Sequence, residues 1–279
     1  MANVSGDPVA TVTEADATGE IADLYADIRA TLGVPVVNLI WRHLAVLPGA
    51  LPWGWQALKP LYASGAVTAQ AAALRAGLDV PVLAGLSGPA LGAAGLDGDD
   101  LDRITMILAS YERSNAMNII ALGALLARLD GTAPAAGEPM PEIPAEDPIK
   151  GEMPTLLTLD AMAPDVRALV EDLNRIGERD EILASMYRHL ANWPAYLALV
   201  HALIAPFGTA GRLEPLIMGV IAESRARASQ ITGDLATPDQ MPEAQVRADI
   251  RAAMALFING PIGKMITIVP LIRQAMPGQ

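Results

Sequence analysis

Two octets in this chain are nearly superimposable, and they constrain its folding more than any other feature. Trp41-Arg42-His43-Leu44-Ala45-Val46-Leu47-Pro48 aligns without a gap with Tyr187-Arg188-His189-Leu190-Ala191-Asn192-Trp193-Pro194, and five of the eight positions are identical. Leu51/Leu197 and Pro60/Pro206 continue the same register. The flanking segments recur in the same order. An amphipathic helix comes first (Glu20–Leu32, Pro164–Ile176), then a helix ending at Pro, an intermediate segment and a long terminal helix. A repeat of this length exceeds a solenoid module and predicts an internal duplication. The expected organisation is a first helical repeat over 1–130, a Pro-rich linker over 131–155 and a second repeat over 156–279, paired as a pseudo-dimer.

The fold class expected for both units is all-α. Ile21, Leu24, Tyr25, Ile28 and Leu32 recur at three- and four-residue steps, with Thr18 placed as an N-cap and Gly33 and Pro35 ending the segment. Further helices are expected over about 36–47, 51–58 and 68–76. Residues 77–98, rich in Gly and Pro, read as a long loop or lid. The proline-free run from Asp99 to Asp130 reads as one long helix or two in sequence, its acidic first turn suiting the helix dipole. Six prolines between Gly131 and Pro154 predict an extended, semi-rigid linker. With 52% hydrophobic but only 4% aromatic residues, the core must be built from aliphatic side chains.

Composition also excludes several functions. A net charge of -12 repels phosphate backbones, so no nucleic acid is expected as a partner. The absence of Cys removes thiol nucleophiles and thiolate metal sites and fits a reducing cytoplasm, the expected location. Three His residues in no helical zinc spacing leave no metal site. A mean hydropathy of +0.33 calls for a membrane check. The longest stretch free of Asp, Glu, Lys and Arg, His189–Gly211, is broken by Pro194 and Pro206, and Met1–Gly6 lacks the features of a signal peptide. No membrane association is expected. No P-loop, GxGxxG or GxSxG motif occurs, so no cofactor is expected.

Candidate chemistry rests on polar residues inside apolar helical runs, where an unpaired polar group costs about 1–3 kcal/mol. Asn115 and Asn118 interrupt the apolar stretch 114–127, and Asn259 precedes Gly260-Pro261 in the second half. These amides either line a cavity between the halves or bond helix to helix. Arg42 and Arg188 can each grip a carboxylate bidentately. Their recurrence beside His43 and His189 favours a shared structural role. His201 reads as a core histidine. Trp41, Trp53, Trp55 and Tyr187 wall a pocket or pack the core, and Lys264 reads as a snorkelling surface lysine.

Ala17-Thr18-Gly19-Glu20-Ile21-Ala22-Asp23-Leu24-Tyr25 with Leu32-Gly33-Val34-Pro35, and Ser185-Met186-Tyr187-Arg188 through Trp193-Pro194-Ala195-Tyr196-Leu197, carry a resemblance over most of the chain. They resemble the group I (DL-type) 2-haloacid dehalogenase family, which is similar in turn to the carboxymuconolactone decarboxylase and alkylhydroperoxidase-like fold. The resemblance implies an all-helical pseudo-dimer with its site between the halves, hydrolysing short 2-halocarboxylic acids. In that family an Asp activates a water that displaces halide directly, and an Asn holds the water. Asn115 is the best match for this Asn, with Asn118 as a rival. The resemblance puts pocket walls near Val36 and Leu39, and a substrate-binding set of Ser185, Met186 and Tyr187 with Asn118 and Asn259.

The chain departs from the family where the water-activating Asp would stand, at Met186. A thioether takes no proton at neutral pH. Placed on one helix with Met186, Glu181 and Asp180 would point about 140° and about 120° away from it. Without a Cys pair, peroxidase chemistry is excluded. The expected partner is a small carboxylic acid, with a homodimer through apolar helix faces. The alternatives to a carbon–halogen hydrolase are a non-catalytic binder of a small apolar acid and a helical assembly protein.

Overall fold

The computed structural model describes residues 7–132, 134–135 and 146–278. Among these, the regular elements are all helical. In the first half α1 (Gly19–Leu32), α2 (Leu39–Leu44), α3 (Ala50–Ala63), α4 (Ala66–Ala76), α5 (Gly88–Ala93) and α6 (Gly98–Leu129) follow in order. The second half holds α7 (Pro164–Arg175), α8 (Ser185–Leu190), α9 (Pro194–Thr209), α10 (Leu213–Gln230), α11 (Ala244–Phe257) and α12 (Gly263–Gln274).

Helix α6 is the central mast, a single helix of 32 residues. Its start is set by a capping box in which Asp97 accepts from the Asp100 amide (2.9 Å) and Asp100 accepts from the Asp97 amide (3.3 Å). Asp100 also accepts from Trp193 Nε1 of the second octet (2.7 Å). At the other end Arg128 donates to the carbonyls of Thr232, Leu235 and Ala236, tying the last turn to the second half. Between these ends α6 packs against α4, α10 and α12. Small residues permit the close approach. A Cβ on Gly123 would lie 3.0 Å from Ala228, and one on Gly263 only 2.6 Å from Ile221 and 2.8 Å from the Ile258 carbonyl.

The octets fold alike, each into a six-residue helix (α2 and α8) followed by a turn into a longer one. Helix α2 is shorter than expected from sequence, with residues 36–38 extended at its start. Helices α3 and α9 run through Pro60 and Pro206 rather than stopping there. In both cases the proline falls within the last turn, where little helix remains to be disrupted. Residues 77–98 hold the short helix α5, capped by the Ser87 hydroxyl. The Leu86 amide bonds to the Ala275 carbonyl, fastening this segment to the C-terminal helix.

Residues 133 and 136–145 of the proline-rich stretch lie outside the described residues. Immediately after it the chain is fastened to the first half. Glu146 pairs with Arg75 and Arg113, and the Ile149 amide bonds to the Gly33 carbonyl.

Helix α11 continues through a π-helical turn, Ile258–Ile262, into α12, with Gly260 off helical geometry ahead of Pro261. This run, Ala244–Gln274, is long and apolar enough to cross a membrane by composition. Its most apolar window is 78% buried inside the protein, as befits a core helix.

Lys264 overturns the surface expectation, because its side chain is wholly buried. Gly177, Glu178 and Arg179 all adopt left-handed backbone (φ +80°, +56°, +55°), which costs about 1–2 kcal/mol for each non-Gly residue. Lys264 Nζ donates to the carbonyls of Asn174 (2.6 Å), Glu178 (2.9 Å) and Arg179 (3.1 Å), so its three protons brace this turn. Asn174 completes the brace by accepting from the Ala184 amide and donating to the Asp180 carbonyl.

Burial pushes Lys264 down from 10.5 to about 8. Between those values the unfolded chain binds the proton that the native protein has released, so this residue makes stability rise with pH in that window. Urea titrations from pH 7 to about 10.5 are expected to show the rise in the native protein and not in Lys264→Met. At pH 7 that variant is expected to be less stable, because three carbonyls lose their donor.

Candidate functional site

The basic residues of helices α2 and α8 meet one acid. Asp7 is buried there between the two octets. Its Oδ2 accepts from Arg42 Nη1 (2.5 Å) and from the Thr11 hydroxyl (2.7 Å), and its Oδ1 accepts from Arg188 Nη1. Arg42 Nη2 goes on to the Ser185 hydroxyl (3.3 Å), and Arg188 Nε to the Leu157 carbonyl (2.7 Å). Both repeated arginines thus hold a carboxylate, and it is the same one. Sequence reasoning missed Asp7, which lies in an irregular segment with no periodicity to mark it.

The histidines beside them have different partners. His43 Nδ1 bonds the Ala10 carbonyl (2.8 Å), whereas His189 Nδ1 meets the Tyr111 hydroxyl at 2.9 Å. Desolvation, then the charges of Arg42 and Arg188, push His189 down from 6.5 to about 3. Burial raises Tyr111 well above the usual phenol range. Both groups are neutral at pH 7, and neither is poised to take a proton from water.

On the far side of Tyr111 lies a small inner cavity of about 40 Å³, whose walls include Asn38, Leu39, Asn115, Ser185, Met186 and Met265. Asn38 Nδ2 donates to the Ser114 hydroxyl (2.9 Å) and reaches Asn115 Oδ1 at 3.5 Å. Asn38 Oδ1 and Asn115 Nδ2 are buried and have no partner among the described residues. One free acceptor and one free donor therefore belong to residues lining a space large enough for one or a few waters.

The structure sorts the residues expected from sequence. Asn115, Leu39, Ser185 and Met186 line the inner cavity together. Val36 lines a larger outer cavity instead. Asn118 is used in the core, where its Oδ1 accepts from Trp41 Nε1 (3.1 Å) and the Tyr62 hydroxyl (3.4 Å). Tyr187 is buried away from both cavities. Asn259 turns the other way, bonding Arg225 and the Ala255 carbonyl. His201 is partly exposed and paired with Asp172 rather than buried in the core. Asn38, which sequence reasoning passed over, is the amide that works with Asn115.

Asp180 and Glu181 precede α8 rather than sharing a helix with Met186, so the angles expected from a common helix do not apply. Neither residue lines the inner cavity, and no carboxylate or imidazole is among its described walls. Groups of three or more potential metal ligands are also absent among the described residues.

Removing the shared acid leaves two buried guanidiniums facing each other uncompensated, a change that costs about 3–5 kcal/mol. Asp7→Ala is expected to lose stability on this scale, read as a fall in the denaturant midpoint at unchanged slope.

No protein-family model matches the chain. A configuration-inverting 2-haloacid dehalogenase of Alcaligenes xylosoxydans xylosoxydans is 31% identical over 199 residues, covering 68% of this chain and 66% of that protein. One from Pseudomonas sp. (strain 113) is 29% identical over 195 residues, 66% of this chain and 62% of that protein. The matched region thus spans just under two thirds of these relatives. Among solved structures, a D-2-haloacid dehalogenase mutant in complex with D-2-CPA superposes with a TM-score of 0.74 at 19% identity, covering 96% of this chain and 95% of that one. A D-2-haloacid dehalogenase with L-LA gives a TM-score of 0.70 at 19% identity. The fold is shared along nearly the whole chain.

Proposed function

We propose that this chain, which belongs with the 2-haloacid dehalogenases by sequence and fold, takes a short 2-halocarboxylic acid into the inner cavity but hydrolyses its carbon–halogen bond slowly or not at all. One observation carries this reading: the cavity offers an amide pair suited to hold a water and no group suited to deprotonate it. In direct hydrolysis the water oxygen bonds to the α-carbon as halide leaves with the bonding electrons, and a general base takes the water's proton. Positioning alone lowers the barrier, while a placed base adds about 10²–10⁴-fold. Here Asn38 and Asn115 supply the first effect, and Met186 stands where the second would come from.

The cavity's size adds a requirement. About 40 Å³ does not admit a haloacid as it stands, so Met186 and Met265 must shift to receive one. Methionine suits this because its thioether chain adopts many shapes at low cost. The tandem reading extends the proposal. Residues 1–130 and 156–279 are taken as two copies of one unit, joined by 131–155, with substrate held at their seam. The like folding of α2 and α8 supports it. The missing base also favours a second reading, a pure binder of a small, mostly apolar acid.

Halide release from D- and L-2-chloropropionate, followed by ion chromatography beside thermal-shift titration, tests the proposal. The expected result is stabilisation by at least one enantiomer with little halide released, and a gain of at least about tenfold in Met186→Asp. Rapid release by the native protein, or a well-folded Met186→Asp that stays inert, would contradict it.

A further inference from the structure

The outer cavity, of about 680 Å³, lies on the other side of Tyr111 from the inner one and has a built floor and walls. Its floor includes Arg42 and Arg188, only 4% and 1% exposed. Among the described residues one carboxylate, Asp7, pairs with both, so two guanidiniums share one acid. Arg188 Nη2 makes no hydrogen bond among the described residues, although its Nε and Nη1 are used. Arg42 bonds through Nη1 and Nη2, and its Nε makes no hydrogen bond among the described residues.

The cavity's other acids do not cancel this charge at the floor. Glu14 is occupied by Arg29 and the Val37 amide, and Glu152 is exposed to solvent. The walls are largely apolar, made by Val36, Val37, Met153, Pro154 and Leu156.

A pocket of this size, with apolar walls and guanidinium donors at one end, is built for an amphipathic organic anion. We propose that the outer cavity binds a carboxylic acid with a bulky apolar body, such as an arylalkanoate, its carboxylate on Arg188 Nη2 and Arg42 and its body against Val37, Met153 and Leu156. The site is separate from the inner cavity and does not depend on dehalogenation. Its ligand is also larger than any the inner cavity admits.

Calorimetric titration with phenylacetate tests this on the native protein, with phenylacetamide as a control of the same shape without charge. Replacing Arg42 or Arg188 removes a partner of the buried Asp7 and risks unfolding, so Met153→Glu serves as the variant. It places a like charge on the cavity wall, in a non-helical segment. Phenylacetate is expected to bind, with phenylacetamide at least about tenfold weaker and Met153→Glu losing at least about tenfold in affinity. Absence of heat, equal binding of the amide, indifference to Met153→Glu, or displacement of phenylacetate by 2-chloropropionate would each overturn the proposal. A native protein that binds phenylacetate as stated but not 2-chloropropionate would support this site while refuting the haloacid reading.

Discussion

A single carboxylate held between two arginines organises the seam of this protein. Asp7 takes Arg42 from one octet and Arg188 from the other, although they lie 35 and 181 positions away in the chain. Buried ion clusters of this kind contribute little net stability compared with an apolar core, because desolvation offsets the attraction. Their effect is on register, since each guanidinium has few other places to go. Fixing both arginines sets the roll of α2 and α8, and these helices bring Leu39, Ser185 and Met186 to the inner cavity. Burial, reinforced by the same two charges, holds His189 neutral, which removes an imidazole close enough to attract a catalytic reading.

The seam has two compartments with different chemistry. Inside Tyr111 the free groups are neutral amides in a space for water. Outside it they are guanidinium protons in a larger space with largely apolar walls. The water-sized compartment lies at the seam of a fold shared with D-2-haloacid dehalogenases, yet its walls lack a proton acceptor of useful strength. Met186 is wholly buried and packs as a core residue, so an apolar side chain at that position is structurally at ease.

The helical class was legible from periodicity alone, because local pattern and tertiary packing agree along α1, α6 and α7. The octets were legible for a different reason. Their arginines answer to one shared partner, Asp7. What could not be read is what depends on long-range meeting. Asp7 is one acid in an irregular segment. Asn38 sits between Val37 and Leu39, and only the approach of the chain just before α2 to α6 makes it a partner for Asn115. Lys264 looked like a surface residue until the left-handed turn at 177–179 supplied three carbonyls for it. Asn259 failed in the opposite way. The π-helical turn before α12 rotates it toward Arg225, a change that a 3.6-residue count does not anticipate.

The proposed function turns on a water held in the inner cavity but not activated there. A crystal structure of the native protein at a resolution that shows ordered solvent tests this directly. The expected result is a water bridging Asn38 Oδ1 and Asn115 Nδ2 beside the Met186 side chain, with no carboxylate or imidazole within about 3.2 Å of it. An Asp or Glu oxygen hydrogen-bonded to that water would contradict it.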